Sequence, residues 1–450
     1  YLDEVEQEPE VQASLIKIRE EYAALKPEDI LAIDPCQGSG HILAYMFDVL
    51  VQIYEAYGYS AREATSSIVE HNIWGLDIDE RAAQLAYFSV MMKARQYDRR
   101  FFSKGVQPHV YAIQESNGIN RDHLNYLGHG LSDIERNNAV NQMNALLDEF
   151  IDAKEYGSIL QPKEYDWALL SRFVEDTTPM QQMTFGEAGL DATQAELRVM
   201  IAQGQAMAQK YHAVVTNPPY MGKGLSSTLA SYLKTKFDDS KGDLFSVFIE
   251  RCRDMTNEHG FWSMITQHSW MFLSSFEMLR KKLLNYTMMN MCHLGTRAFE
   301  EIGGAVVQTT TFVFEKSKIT RYKTSFIRLL DYLSQDAKEK ALFASTPSDS
   351  YTAQISSLAE IEGSPISYWI SDGFLSALKK ESLVSLTISD GQNKTGDNDT
   401  YLREFWEIGY QDIGIGKKWL FYAKGGPYRK WAGNLYEVIN WSDEARAHYH

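Results

Sequence analysis

The stretch Ile30-Leu31-Ala32-Ile33-Asp34-Pro35-Cys36-Gln37-Gly38-Ser39-Gly40 runs directly into the apolar segment His41–Tyr57. A short apolar strand (Ile30–Asp34), an acidic glycine turn and a helix in succession open a β-α unit. The helix is apolar on most faces, which predicts burial. Glycines at the carboxyl end of a strand let backbone approach a ligand closely. The start of the helix offers amides to negative groups, whereas Asp34 at the turn suits a cationic ligand. The segment contains neither GxGxxG nor GxxxxGK[S/T], which argues against dinucleotide and P-loop sites. Taken alone, a plain glycine turn is the competing reading.

Outward from this unit the alternation continues. Ile73–Asp79 reads as a second strand and Glu80–Tyr97 as its helix, with an extra helix at Ala61–Glu70; His109–Gln114 reads as a third strand. Such alternation predicts a parallel sheet covered on both sides. Residues 120–208 break the pattern with amphipathic stretches such as Asn137–Ala153 and Ala192–Gln209, expected to be a helical insertion or else a separate helical domain. Strands resume at His212–Thr216, Phe261–Thr266, Met288–His293 and Val306–Phe314, for about seven in all. Segment 389–400 is polar, rich in Gly, Asn and Asp, and reads as a linker.

Two further motifs carry chemistry. Gly75-Leu76-Asp77-Ile78-Asp79 closes the second strand, where an acid commonly binds ribose hydroxyls. Asp77 is the better candidate, because Asp79 suits a helix N-cap. Asn217-Pro218-Pro219-Tyr220 follows the strand ending at Thr216 in a chain with only 11 prolines. Successive prolines make a stiff extended turn. It can hold the Asn217 side chain and the Pro218 carbonyl together as two acceptors for an amino group. Tyr220 adds a flat face for a base, and a rigid loop closure is the competing reading. S-adenosylmethionine, with an ammonium and a sulfonium, fits Asp34 better than a phosphate does.

The order of these three motifs resembles the gamma-class amino-methyltransferases. The flanking text narrows the likeness: Met221-Gly222-Lys223-Gly224, Lys241-Gly242-Asp243-Leu244-Phe245, Gly260-Phe261, Ala298-Phe299 and Ile302-Gly303-Gly304-Ala305-Val306-Val307-Gln308-Thr309. Together they resemble the PglX family, the adenine-specific DNA methyltransferases of BREX phage-defence systems, and the related type IIG restriction enzymes. The likeness runs through about residues 1–316 and weakly to the end. It implies a seven-stranded Rossmann-like α/β methyltransferase sheet with a helical insertion, followed by the start of a target-recognition domain. The expected division is a helical end at 1–29, methyltransferase at 30–119 and 211–388, insertion at 120–210, linker at 389–400 and recognition unit at 401–450. Asp34, Gly38 and Gly40 would line the methionine end of S-adenosylmethionine and Asp77 its ribose. Gln114 or Glu115 would touch its adenine. Asn217, Pro218, Pro219 and Tyr220 would hold a flipped-out adenine.

The 450 residues carry a net charge of −16, which counts against a simple nucleic-acid binder if the chain is whole; both ends read as cut. Lys223, Lys417, Lys418, Arg429 and Lys430 are the expected DNA contacts, with Lys234, Lys236, Arg280, Lys281 and Lys282 as further wall. For 280–282 a solvated helix face is the competing reading. Three scattered cysteines and the absence of a long apolar run or signal peptide fit a cytoplasmic protein, without metal or membrane. Expected partners are double-stranded DNA, other BREX proteins and acidic phage proteins that mimic DNA. Rival functions are a restriction enzyme whose nuclease lies outside this chain, a methyltransferase of RNA or protein glutamine, and a non-catalytic cofactor-binding scaffold.

Overall fold

The computed structural model describes residues 5–176, 189–299, 307–344, 349–359, 361–378, 380–381, 385 and 395–449. The first residues of the expected amino-terminal helical stretch, the start of the strand at Val306, motif residues Ile302–Val306 and residues 389–394 of the linker 389–400 lie outside them. Two compact units divide the chain, Tyr1–Ser371 and Asp372–His450.

The first unit is built on a nine-stranded sheet in the order β3-β2-β1-β4-β5-β7-β6-β8-β9. Its strands are β1 (Ala32–Asp34), β2 (Ile73–Asp77), β3 (His109–Ala112), β4 (Tyr211–Thr216), β5 (Thr256–Gln267), β6 (Thr287–Gly295), β7 (Thr309–Glu315), β8 (Lys323–Arg328) and β9 (Ser350–Gln354). Strands β3 to β5 are parallel to their neighbours through β2, β1 and β4. β7 is antiparallel to both β5 and β6. The expected seven strands are therefore all present, and the count is corrected by two. β8 joins β6 in parallel and β9 closes the edge antiparallel. Neither added strand is an apolar run, and β9 is nowhere buried, as suits an edge.

Helices cover the sheet: α1 (Pro9–Ala24), α2 (His41–Ala56), α3 (Ala61–Ser67), α4 (Glu80–Tyr97), α5 (Asp133–Glu149), α6 (Ala153–Tyr156), α7 (Trp167–Glu175), α8 (Leu190–Ala208), α9 (Ser227–Lys236), α10 (Leu244–Met255) and α11 (Glu277–Leu283). On one face Leu43, Phe47, Leu50 and Tyr54 of α2 pack with Ala86 and Val90 of α4 over Ile73. On the other, Met143 and Leu146 of α5, Phe173 of α7 and Leu197 and Met200 of α8 share a single core with Ile33, Leu76 and Val214 of the sheet. The inserted helices thus share a core with the sheet. Burying each such side chain stabilises by roughly 1.5–3 kcal/mol.

Local chemistry sets the helix ends. Ser60 and Ser132 cap α3 and α5 in reciprocal boxes with Glu63 and Glu135. The Asp79 carboxylate accepts the Arg81 and Ala82 amides at the start of α4, the expected N-cap.

The second unit contains the antiparallel strands β10 (Leu402–Glu404), β11 (Trp419–Tyr422) and β12 (Glu437–Asn440), ordered β10-β12-β11. Leu402, Ile439, Ala445 and Tyr449 form its small core. Among the described residues, no helix is long and apolar enough to cross a membrane.

Candidate active site

The chain leaves β1, β2 and β4 at the same sheet edge, and a cavity of about 480 Å³ opens there. Pro35, Cys36 and Gly38 line it from the β1 turn, Asp77 and Ile78 from the end of β2, and Asn217, Pro218 and Pro219 from the end of β4. This is the crevice beyond the carboxyl ends of parallel strands where α/β sheets bind ligands.

Two carboxylates organise the floor. Asp34 is 1% exposed; its Oδ1 accepts the Thr216 hydroxyl at 2.6 Å and the Cys36 amide at 2.9 Å. Burial nonetheless pushes its pKa from 3.8 up to about 7, with the Asp77 carboxylate adding to the rise. Asp34 therefore ties the β1 turn to β4 and is not itself on the cavity wall. Asp77 is on the wall. Its Oδ2 accepts the Gly38 amide at 2.9 Å and its Oδ1 the Asp79 amide at 2.9 Å.

The two glycines of the turn separate. Gly38 lines the cavity with φ +52°, and the space where its Cβ would stand is open. Gly40 faces the other way. With φ +86°, its Cβ would meet Ala86 Cα at 2.8 Å. The expectation that Gly40 lines a ligand is corrected: it is glycine because α2 and α4 pack in contact at this point.

At the end of β4, Asn217 is exposed, Pro218 buried and Tyr220 half-buried. The Tyr220 hydroxyl lies 3.4 Å from Asn217 Oδ1 and 3.3 Å from the Ile265 carbonyl, both long for hydrogen bonds. Its ring meets Phe245 edge-on at 6.1 Å. Burial raises the Tyr220 pKa, so the phenol stays protonated. Asp243, at the N-cap of α10, accepts the Met221 amide at 2.8 Å and the Phe245 amide at 3.3 Å. One carboxylate thereby fixes the loop after Tyr220 to the helix beneath it.

Sequence reading did not find the fourth wall. Glu155, Tyr156, Gly157, Ser158 and Ile159 of the insertion line the cavity, as do Leu229, Leu244 and Phe248. Ser158 Oγ donates to the Pro35 carbonyl at 2.5 Å, stitching the insertion to the β1 turn. No local pattern in 155–159 announces this role.

Other expected residues fall elsewhere. Gln114 exchanges backbone hydrogen bonds with the Gln203 amide of α8, and Glu115 is exposed; neither is on the cavity wall. Arg280 is 1% exposed and donates to the carbonyls of Trp270, Leu273, Gly363 and Ser364. Lys281 pairs with Glu277, and Lys282 with Asp239 and Glu250. Arg280 is therefore a structural residue, whereas Lys281 stays exposed. Lys223 is exposed on the loop after Tyr220. Lys417, Lys418, Arg429 and Lys430 are exposed on the second unit, where Lys418 lies over Trp419 and Lys430 over Trp431. Among the described residues, no group of three His, Cys, Asp or Glu side chains could hold a metal ion.

The profile of the Eco57I restriction-modification methylase family matches residues 71–299. The chain is 39% identical, over 98% of its length and 37% of the relative's, to the adenine-specific methyltransferase PglX of Lacticaseibacillus casei (strain Zhang). It is 38% identical, over 99% of its length and 38% of the relative's, to the adenine-specific methyltransferase BrxX of Escherichia coli O9:H4 (strain HS). The chain thus spans less than two-fifths of either curated relative. Among solved structures, a nuclease-deletion mutant of the Type ISP restriction-modification enzyme LlaGI aligns with a TM-score of 0.44. That alignment has 13% identity over 76% of this chain and 25% of that one.

Proposed function

The chain belongs to the Eco57I restriction-modification methylase family, and from that premise we propose that it is the catalytic part of a DNA adenine-N6 methyltransferase of a BREX phage-defence system. The observation that carries this reading is a single cavity in which the glycine turn, Asp77 and Asn217-Pro218-Pro219 meet. S-adenosylmethionine fits it chemically. The open space beyond Gly38 is a cradle for the methionine end, Asp77 is the acid for the ribose, and Ile78, Leu244 and Phe248 supply apolar wall. When bound, the cofactor supplies an electrophilic methyl group.

The residues of the chain orient the acceptor. The Asn217 carbonyl oxygen and the Pro218 carbonyl accept the two N–H groups of the adenine amine, which turns its lone pair toward the methyl-donor side of the cavity. Holding the two reactants in line is a large source of acceleration. Extruding the base costs a few kcal/mol, and contact with Tyr220 offsets part of it, since base stacking contributes roughly 1–3 kcal/mol. No side chain need remove a proton before attack, and water takes it afterwards.

The substrate is double-stranded DNA, held partly by Lys223 and by the basic aromatic surface of Lys417, Lys418, Arg429 and Lys430. The names of the relatives, both adenine-specific methyltransferases, support adenine as the target base. Other BREX proteins as partners and a cytoplasmic location are part of the proposal. Acidic phage proteins that mimic DNA would compete for the same surface.

The test is a methyl-transfer assay on the full-length protein with its system partners. Asn217→Ala should abolish adenine methylation while cofactor binding, read by calorimetry, stays within about threefold. Methylation at the parental rate by Asn217→Ala would overturn the proposal.

A further inference from the structure

At the opposite edge of the sheet lies a second recess, of about 360 Å³, lined by Gln161, Pro162, Met207, Ala208, Lys210, Arg251, Asp254 and Lys316. Its position follows from the topology. Lys210 immediately precedes β4, Arg251 and Asp254 stand just before β5, and Lys316 immediately follows β7, which runs antiparallel to β5. The Asn217 cavity opens at the far end of the same β4, a strand of 6 residues and therefore about 20 Å long.

The recess collects three cations in a chain of net charge −16. Arg251 is only 3% exposed, yet lines it. Its Nε donates to the Ser158 carbonyl at 3.0 Å and its Nη2 to the Met207 carbonyl at 2.8 Å. These neutral acceptors fix the guanidinium without cancelling its charge, and among the described residues Nη1 is left for an occupant. Lys210 Nζ donates to the Asp254 carbonyl at 2.6 Å and Lys316 Nζ to the Thr256 carbonyl at 2.8 Å, again uncharged acceptors.

The nearby carboxylates do not neutralise the cluster. Asp254 Oδ1 is held at 2.6 Å by Arg253, and its Oδ2 lies 3.4 Å from Gln161. Glu258 reaches Lys316 at 3.3 Å, but its side chain is 79% exposed, where such a pair is weak. Burial depresses the Lys210 pKa most, Arg251 and Lys316 add to the fall, and Asp254 and Glu164 oppose it only as lesser influences. Like charges held together, one of them buried, cost free energy that an anion would recover.

We propose that this recess is a binding site for a small phosphorylated anion of di- or triphosphate size, bound by Arg251, Lys210 and Lys316. Three cations match two to four negative charges. The fixed guanidinium presents a planar donor to phosphate oxygens, and the two ammonium groups flank it as point charges with N–H donors to spare. The proposal does not rest on the methyltransferase assignment: the recess shares no lining residue with the Asn217 cavity, although Ser158, whose carbonyl holds Arg251, lines that cavity.

The probe is inorganic pyrophosphate, with ATP beside it, titrated into the 450-residue chain by calorimetry at low salt. Saturable binding is expected, weakened at least tenfold in the double variant Lys210→Gln/Lys316→Gln and unchanged in Lys281→Gln. Lys210 is exposed and Lys316 half-buried; glutamine keeps an N–H donor at each position, so the double variant should keep its thermal transition. Acetylation mapping needs no variant: saturating pyrophosphate should protect Lys210 and Lys316 from labelling but leave Lys223 reactive. No binding at millimolar pyrophosphate, undiminished binding by the double variant, or unaltered labelling would each overturn the proposal. So would protection of the two lysines by a DNA duplex and not by pyrophosphate, because the recess would then be part of a DNA-contact surface.

Discussion

Asn217 lines the cavity, whereas Tyr220 and Asp34 stand outside its wall, and the roles proposed for the three separate physically. Asn217 is an exposed acceptor, so replacing it removes alignment without touching the core. The role proposed for Tyr220 rests on its ring, because both bonds of its hydroxyl are long. Tyr220→Phe should retain methylation within about tenfold, and Tyr220→Ala should lose roughly another 1–3 kcal/mol of base contact, measured as methyl-transfer rates in parallel. If the two variants are equally inactive, the hydroxyl matters and the ring account is wrong. Asp34 makes a pH prediction. Its folded pKa, about 7, lies above the 3.8 of an open carboxyl. Its contribution to stability is therefore complete below pH 3.8 and is lost as pH rises toward 7. At 1.36 kcal/mol per unit the loss approaches about 4 kcal/mol. Asp34→Asn keeps an acceptor for Thr216 but cannot ionise. Denaturant melts between pH 5 and 8 should show the parent losing stability relative to the variant; parallel curves would mean that Asp34 titrates normally.

At the scale of elements, neighbouring glycines in one turn serve different masters. Gly40→Val drives a branched side chain into Ala86 of α4 and should lower stability by more than about 2 kcal/mol, since packed cores do not yield. Gly38→Ala meets open space, costs about 1–2 kcal/mol for its left-handed backbone, and should weaken cofactor binding in a folded protein. Thermal melts with calorimetry separate the two. A fully stable Gly40→Val would show that α2 and α4 can move apart. Arg280 belongs to this scale also. It ties the middle of α11 to the 363–364 segment through two carbonyls and to Trp270 and Leu273 through two more. Arg280→Ala strands several of them, at about 1–3 kcal/mol each, so unfolding at far lower denaturant is expected. If Arg280→Ala is stable but binds DNA less well, the residue faces phosphate after all.

For the whole molecule, net charge opposes DNA and local patches favour it. A chain of −16 should bind duplex DNA weakly, without sequence preference, and with an affinity that falls steeply with salt. Replacing Lys417, Lys418, Arg429 and Lys430 by Gln should reduce the slope of log affinity against log salt by up to about 0.9 for each phosphate that is no longer neutralised. Fluorescence anisotropy at several salt concentrations measures it. Tight site-specific binding by these 450 residues, or an unchanged slope in the variant, would place the DNA-binding surface elsewhere.

The functional turns were legible because their chemistry is local. Asp34 to Gly40, Gly75 to Asp79 and Asn217 to Tyr220 each join a strand to a helix or loop, and backbone rules confine such residues to such places. The apolar strands β1, β2 and β4 and the helices α2 and α4 were legible by periodicity, for burial leaves its mark on every turn. The edge strands β8 and β9 were not, because an edge need not be apolar. Nor could sequence tell that Gly40 serves α4 while Gly38 serves the cavity, since the two differ only in what lies opposite. The wall at Glu155–Ile159, the burial of Arg280 and the meeting of Lys210, Arg251 and Lys316 are long-range events. Each brings together residues tens to hundreds of positions apart, and only the packing of helices on the sheet decides which side chains meet.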